Sequence, residues 1–141
     1  MPEKTAAELR ADGFFITGDL GLIDEDGYVQ IVGRGKDLII SGGYNIYPKE
    51  VEQVLDDQPG VLESAVIGVA HADLGEAPVG VLVADGSADL NLDALSQTVA
   101  QSLARFKCPR KLVVVDALPR NTMGKVQKNL LREIYADLFK A

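Results

Sequence analysis

Apolar residues along the chain fall into runs of two kinds, alternating or continuous runs that suit strands and three-and-four spacings that suit helices. Between Leu22 and Val32 they flank an acidic turn, Asp24-Glu25-Asp26-Gly27, which predicts a β-hairpin. Gly33-Arg34-Gly35-Lys36-Asp37 then breaks the pattern with glycines and charges, the only internal boundary before residue 40. A short apolar run, Leu38-Ile39-Ile40, ends at Ser41-Gly42-Gly43. Pro48 suits the first position of a helix, where an N–H would have no partner anyway, and Glu50 and Glu52 suit the positive end of its dipole. Val51, Val54 and Leu55 give that helix an apolar face, and Pro59-Gly60 stops it.

Further along, the β-branched stretches from Val61 to Val69 and from Pro78 to Ala84 predict core strands. Asn91 is the expected cap of a second helix with Leu92, Leu95, Val99, Leu103 and Phe106 on one face, running to Pro109. Lys111 to Asp116, centred on three valines, predicts a third strand. A last helix is expected from about Val126 to Phe139, with Val126, Leu130, Ile134 and Leu138 on its buried stripe. The fold class that follows is α+β: a small sheet of about three main strands flanked by helices, preceded by a β-hairpin.

Composition narrows the setting. With 141 residues and 47% hydrophobic content, the chain can build one core, and wholesale disorder is excluded. No apolar run approaches the roughly 18 residues of a membrane-spanning helix, and Met1-Pro2-Glu3-Lys4 lacks the layout of a signal peptide. The single cysteine, Cys108, makes no internal disulfide, so a cytoplasmic setting is expected. A net charge of −7 argues against nucleic acid as a partner. Its distribution is uneven. Residues 105–132 hold eight cations against Asp116 alone, while residues 1–104 hold five cations and eighteen anions. That basic stretch is either a solvated face or a surface offered to an anion.

Three stretches carry candidate chemistry. In Thr17-Gly18-Asp19, a carboxylate on a glycine turn can accept two hydrogen bonds from a vicinal diol such as a ribose; an ordinary turn feeding the hairpin fits as well. From Gly33 to Glu52, charges between glycines and then a Gly-Gly turn suit a flexible joint followed by close backbone approach to a ligand, or a mobile surface loop. In Leu118-Pro119-Arg120-Asn121-Thr122-Met123-Gly124-Lys125-Val126, the Gly-Lys pair is no phosphate loop. Pro119 stands where that motif needs glycine, and Val126 where it needs Ser or Thr. What remains is a lysine projected from a turn of small residues. His71 has no partner spacing for metal or nucleophilic chemistry, Cys108 reads as a small core filler, and no arrangement of acids suggests a metal site.

Together and in this order, the three stretches resemble the C-terminal region of the adenylate-forming superfamily, which includes acyl-CoA synthetases and peptide-synthetase adenylation domains. Thr17-Gly18-Asp19 matches its ribose signature, Gly33 to Asp37 through Glu50-Val51-Glu52 its hinge motif, and Pro119 to Lys125 its closing lysine motif. The wording of the last two is closest to malonyl-CoA synthetases. The resemblance implies an ATP-dependent acyl-CoA ligase, which joins a carboxylic acid to CoA through an acyl-adenylate and releases AMP and pyrophosphate. It implies that Asp19 holds the ATP ribose and that Arg34 contacts ribose or phosphate. Asn45 would approach the nucleotide. Lys36 would be the hinge, Gly42, Gly43 and Tyr44 would line the CoA channel, and Lys125 would bridge the substrate carboxylate and the α-phosphate. Some relatives carry a lysine where Ile40 stands.

The same resemblance divides the chain into the tail of a large N-terminal domain (1–35), a hinge at 36 and a mobile C-terminal domain (37–141). The phosphate loop, the glutamate that helps place Mg2+ and the acyl pocket belong to the large domain in that family, so this chain alone is expected to be inactive. Its expected partners are that domain, ATP, CoA and a carboxylic acid, with no nucleic acid and no membrane span. Phe14, Phe15 and the hairpin are expected to be exposed or to meet another chain across residues 14–32. Two rival readings are a free-standing nucleotide- or CoA-binding module and a fragment of a peptide-synthetase adenylation domain.

Overall fold

A computed structural model describes residues 1–87 and 89–140, which form two compact units, Met1–Lys36 and Asp37–Ala141. The first unit opens with a short helix, α1 (Pro2–Glu8), and contains a two-stranded antiparallel hairpin, β1 (Asp19–Ile23) and β2 (Val29–Arg34). The acidic turn closes this hairpin as its sequence predicts: the Asp24 carboxylate accepts the backbone N–H groups of Asp26 and Tyr28. No side chain of residues 1–36 is buried, and Phe14 and Phe15 are 72% and 59% exposed.

The second unit holds β3 (Ile39–Ser41), β4 (Tyr44–Ile46), α2 (Pro48–Asp56), β5 (Val61–His71), β6 (Gly75–Ala84), α3 (Leu92–Ser102), β7 (Lys111–Val115) and α4 (Lys128–Ile134). Its sheet has five strands rather than about three. The three long ones are the predicted ones, and the short β3–β4 hairpin adds an edge in the order β4-β3-β6-β5, with β7 parallel to β6. Because successive strand residues point to opposite faces, β5 and β6 feed two cores. Val66 and Leu82 pack with Val51 and Leu55 of α2 and with Leu95 and Val99 of α3. Ala65, Ile67, Val79 and Val81 pack on the other face with Leu118 and Leu131. Burial on both faces explains why these two strands read as continuous apolar runs rather than alternating ones.

Pro48 opens α2, and the Asn91 side chain caps α3 by accepting the Ala94 N–H at 3.0 Å, both as the sequence predicts. Two helix expectations fail. The helix α3 ends at Ser102, not at Pro109, because Leu103 turns to extended backbone, and residues 105–107 form a separate 3-10 turn. This keeps Leu103 in the core while Phe106 moves out to the surface. The helix α4 is shorter than expected and buries Leu131, whereas Leu130 and Ile134 are 36% and 67% exposed. Val126 is tied in a bridge to Arg120, which delays the helix, and ion pairs of Lys128 and Arg132 set its rotation. No helix among the described residues is long and apolar enough to cross a membrane.

Candidate functional site

In the first unit, Asp19 and Arg34 are directly opposed across the β1–β2 pair. The Arg34 Nε donates to Asp19 Oδ1 at 2.8 Å, and its Nη1 donates to the Thr17 carbonyl at 2.9 Å. The Asp19 N–H in turn reaches Thr17 Oγ1 at 3.2 Å. The guanidinium thus holds one carboxylate oxygen and leaves the other able to accept hydrogen bonds. Such a carboxylate, three-quarters covered and fixed in direction, suits a diol ligand.

Lys36 is exposed in the 3-10 turn Gly35–Asp37. In the second unit Asp37 is fixed by Arg132 Nη2 of α4 at 2.9 Å. Three residues on, Ile40 donates its N–H to Glu76 Oε2 at 3.0 Å, which pins β3 to β6 where their backbone register is a single pair, Ser41 with Gly75. The β3–β4 turn is Gly42-Gly43, with φ of +56° and +84°, a left-handed pair that only glycine adopts cheaply. The Gly42 N–H donates to the Leu74 carbonyl at 2.9 Å. Tyr44 and Asn45 follow on β4, both with exposed side chains.

The lysine stretch folds as a tight turn. Asn121 Oδ1 accepts the N–H groups of Met123 and Lys125 at 3.0 and 2.9 Å, and the Asn121 N–H returns a bond to the Lys125 carbonyl at 2.9 Å. Arg120 adds a bond from Nη1 to the Gly124 carbonyl at 2.7 Å and an ion pair with Glu63. The backbone of Lys125 is therefore fixed while its side chain is exposed, with no carboxylate at ion-pair distance among the described residues.

That freedom is not general to the basic stretch. Lys107 pairs with Glu50, Arg120 with Glu63, Lys128 with Glu52 and Arg132 with Asp37. Glu52 Oε1 also accepts the Val66 N–H at 2.8 Å, so it caps the outer edge of β5. Four of the eight cations are thus structural, a division no charge count could make because each partner lies far away in sequence. Arg105, Arg110, Lys111 and Lys125 remain unpaired among the described residues.

Phe106 escaped the sequence reading as a site residue. Its expected helical spacing assigned it to the core, yet its ring stacks on Tyr44 with centroids 4.7 Å apart and planes at 26°. His71 ends β5 beside Phe139 and accepts the Asp73 N–H on Nδ1 at 3.2 Å, a structural role. Cys108 packs against the core, and burial pushes its thiol up, partly offset by the Arg110 charge. Since a thiol pushed up is protonated at neutral pH, Cys108 is a poor nucleophile.

The domain model for the AMP-binding enzyme C-terminal domain matches residues 50–125, more than half of the chain. A 3-[(3aS,4S,7aS)-7a-methyl-1,5-dioxo-octahydro-1H-inden-4-yl]propanoyl:CoA ligase of Rhodococcus jostii is 49% identical over 132 residues, which is 94% of this chain and 26% of that protein. The long-chain-fatty-acid–CoA ligase FadD13 of Mycobacterium tuberculosis is 44% identical over 125 residues, 89% of this chain and 25% of that protein. Among solved structures, ATP-bound MatB from Rhodopseudomonas palustris is 60% identical with a TM-score of 0.89, covering 99% of this chain and 28% of that one. The chain therefore spans about a quarter of the length of the relatives it matches. Its motifs, its fold and these likenesses agree, and the chain belongs to the AMP-binding enzyme C-terminal domain family.

Proposed function

We propose that this chain acts as the C-terminal part of an AMP-forming acid–CoA ligase, supplying the lysine for acyl-adenylate formation and the turn that receives CoA. The observation that carries the reading is the lysine turn: Lys125 has a fixed backbone and a free ammonium, within the matched stretch of a chain whose relatives are named CoA ligases. When a carboxylate attacks the α-phosphate of ATP, two anionic groups must approach. An ammonium placed between them stabilises the charge that builds up in the transition state. A lysine with its own carboxylate partner would serve this poorly, because its charge would already be neutralised.

In this reading the free oxygen of Asp19 accepts the ribose hydroxyls of ATP, and Arg34 aims that carboxylate rather than reaching phosphate as its main task. Lys36 is the hinge between a large domain, to which residues 1–35 contribute, and residues 37–141. Rotation there lets one site serve adenylation and thioester formation in turn. Gly42, Gly43 and Tyr44 line the CoA channel, and Asn45 approaches the nucleotide in the other pose. Of the four cations between residues 105 and 111, Arg105, Arg110 and Lys111 are free to reach the CoA phosphates, whereas Lys107 is held by Glu50. Mg2+ is assigned mainly to the large domain, as the family resemblance implies. A cytoplasmic setting and a place in fatty-acid metabolism belong to this reading. Malonate is the first acid to test, since the hinge and lysine segments resemble malonyl-CoA synthetases.

The test is complementation. The large domain of the ligase, expressed separately, is mixed with this chain and supplied with ATP and malonate, then with other acids, while pyrophosphate release is followed. Recovered activity that disappears with Lys125→Ala is the expected result, and the preferred acid identifies the substrate. Activity unaffected by Lys125→Ala would remove that lysine from the chemistry. Binding of nucleotide or CoA to this chain without recovery by any acid would favour a separate binding module.

A further inference from the structure

Phe106 takes no part in the proposed chemistry, yet two contacts converge on it and a third supports one of them. It covers one face of Tyr44, the residue that follows the Gly42-Gly43 turn. The ammonium of Lys107 lies 5.8 Å from its ring centroid. That ammonium is gripped by both carboxylate oxygens of Glu50, at 2.7 and 2.9 Å. Glu50 sits in the first turn of α2, directly after the strand that carries Tyr44. Tyr44, Phe106, Lys107 and Glu50 thus close a ring of contacts between two distant parts of the chain.

We propose that Phe106 is a positioning residue for CoA binding: by stacking on Tyr44 it fixes the glycine turn in the shape that receives the CoA thiol arm. The inference rests on the reading of that turn as part of the CoA channel. The physical need is plain. The two glycines offer no side chains to anchor the turn, and Tyr44 is 58% exposed, so a free tyrosine would sample several rotamers and bind only from one. A ring backed by Phe106 loses that freedom before CoA arrives. The chain leaves α3 at Leu103 and re-forms a 3-10 turn at residues 105–107, and this departure brings Phe106 to the surface.

The experiment uses the intact ligase with Phe106→Leu, Phe106→Tyr, Tyr44→Ala and the Tyr44→Ala/Phe106→Leu double variant. Phe106→Leu keeps apolar bulk but removes the stack. It is expected to raise KM for CoA about threefold to tenfold, the range of one aromatic pair, while ATP–pyrophosphate exchange is preserved. Phe106→Tyr should retain the wild-type KM, and Phe106→Leu should add nothing once Tyr44 is alanine. Full additivity, or equal damage to both half-reactions, would overturn the positioning role. If Tyr44→Ala raises KM for CoA and Phe106→Leu does not, the role of Phe106 fails alone; if Tyr44→Ala leaves KM unchanged, the reading of the turn fails with it. In this chain by itself, the Tyr44 ring-proton resonances should be shifted upfield by the stacked ring and should move back with Phe106→Leu. Absence of that shift in the wild type would also overturn the proposal.

Discussion

The turn from Asn121 to Lys125 fastens itself with neighbouring atoms, whereas the Gly42-Gly43 turn leans on residues far along the chain. In the first, one amide side chain accepts two backbone N–H groups, and the adjacent Arg120 holds the Gly124 carbonyl. In the second, the supports are the Leu74 carbonyl, the Glu76 carboxylate and the Phe106 ring. The difference matches what each would do. A turn that delivers one charge needs a fixed backbone and a free tip, which short-range bonds provide. A turn that forms a wall for a ligand needs lateral support, which only tertiary contacts provide. Altering each turn separately should therefore produce losses in different half-reactions.

The largest separation is expected from Lys125→Ala. In the proposed role the Lys125 charge acts on the transition state, and its removal should then slow acyl-adenylate formation by about 10²–10³-fold. Thioester formation from supplied acyl-adenylate should fall far less, and the ratio of the two rates measures the division of labour. Asn121→Ala keeps the ammonium but leaves the N–H groups of Met123 and Lys125 without their acceptor. Loosening of the turn should cost about 1 kcal/mol of local order, and adenylation should drop by about fivefold. If Asn121→Ala proves as damaging as Lys125→Ala, the amide does more than hold the turn.

Gly43→Ala tests the other side. A Cβ there meets no atom within 4 Å, so the cost is conformational: φ is +84°. Placing alanine in the left-handed region costs roughly 1–2 kcal/mol, which should lower the melting temperature of the chain by about 5 °C or more. The thioester step should suffer more than adenylation. An alanine that leaves both melting temperature and CoA kinetics unchanged would mean that the turn relaxes freely, against the tight shape inferred for it.

The two turns also differ in how much of them the sequence reveals. The elements around both were legible, since Pro48, Asn91 and the valine runs act through neighbours only a few positions away. The self-contained lysine turn was legible for the same reason. What stayed hidden depends on long-range partners. Helical spacing assigned Phe106 to the core and Leu130 and Ile134 to a buried stripe, but exit from α3 at Leu103 and the ion pairs of Lys128 and Arg132 reversed those assignments. Likewise, eight clustered cations looked like one surface until Glu50, Glu52, Glu63 and Asp37 claimed half of them. For the exposed aromatics of residues 1–36, no local pattern in the sequence says what covers them.

The smallest predicted effect examines the distant support most directly. Lys107 and Glu50 form a bidentate contact at 2.7 and 2.9 Å, but their side chains are 24% and 42% exposed. Solvent screens such a pair, so a double-mutant cycle with Lys107→Met and Glu50→Gln should give a coupling of only about 0.5 kcal/mol in thermal stability. Raising the salt concentration should shrink that coupling further. Its consequence for CoA should nonetheless be visible, because the pair acts on the Phe106 turn rather than on the fold as a whole. Lys107→Met should raise KM for CoA by about twofold, and adding Glu50→Gln should bring no further rise. A coupling near zero with an unchanged KM would mean that Phe106 is held by core packing alone, and the glycine turn would then be less dependent on tertiary support than its contacts suggest.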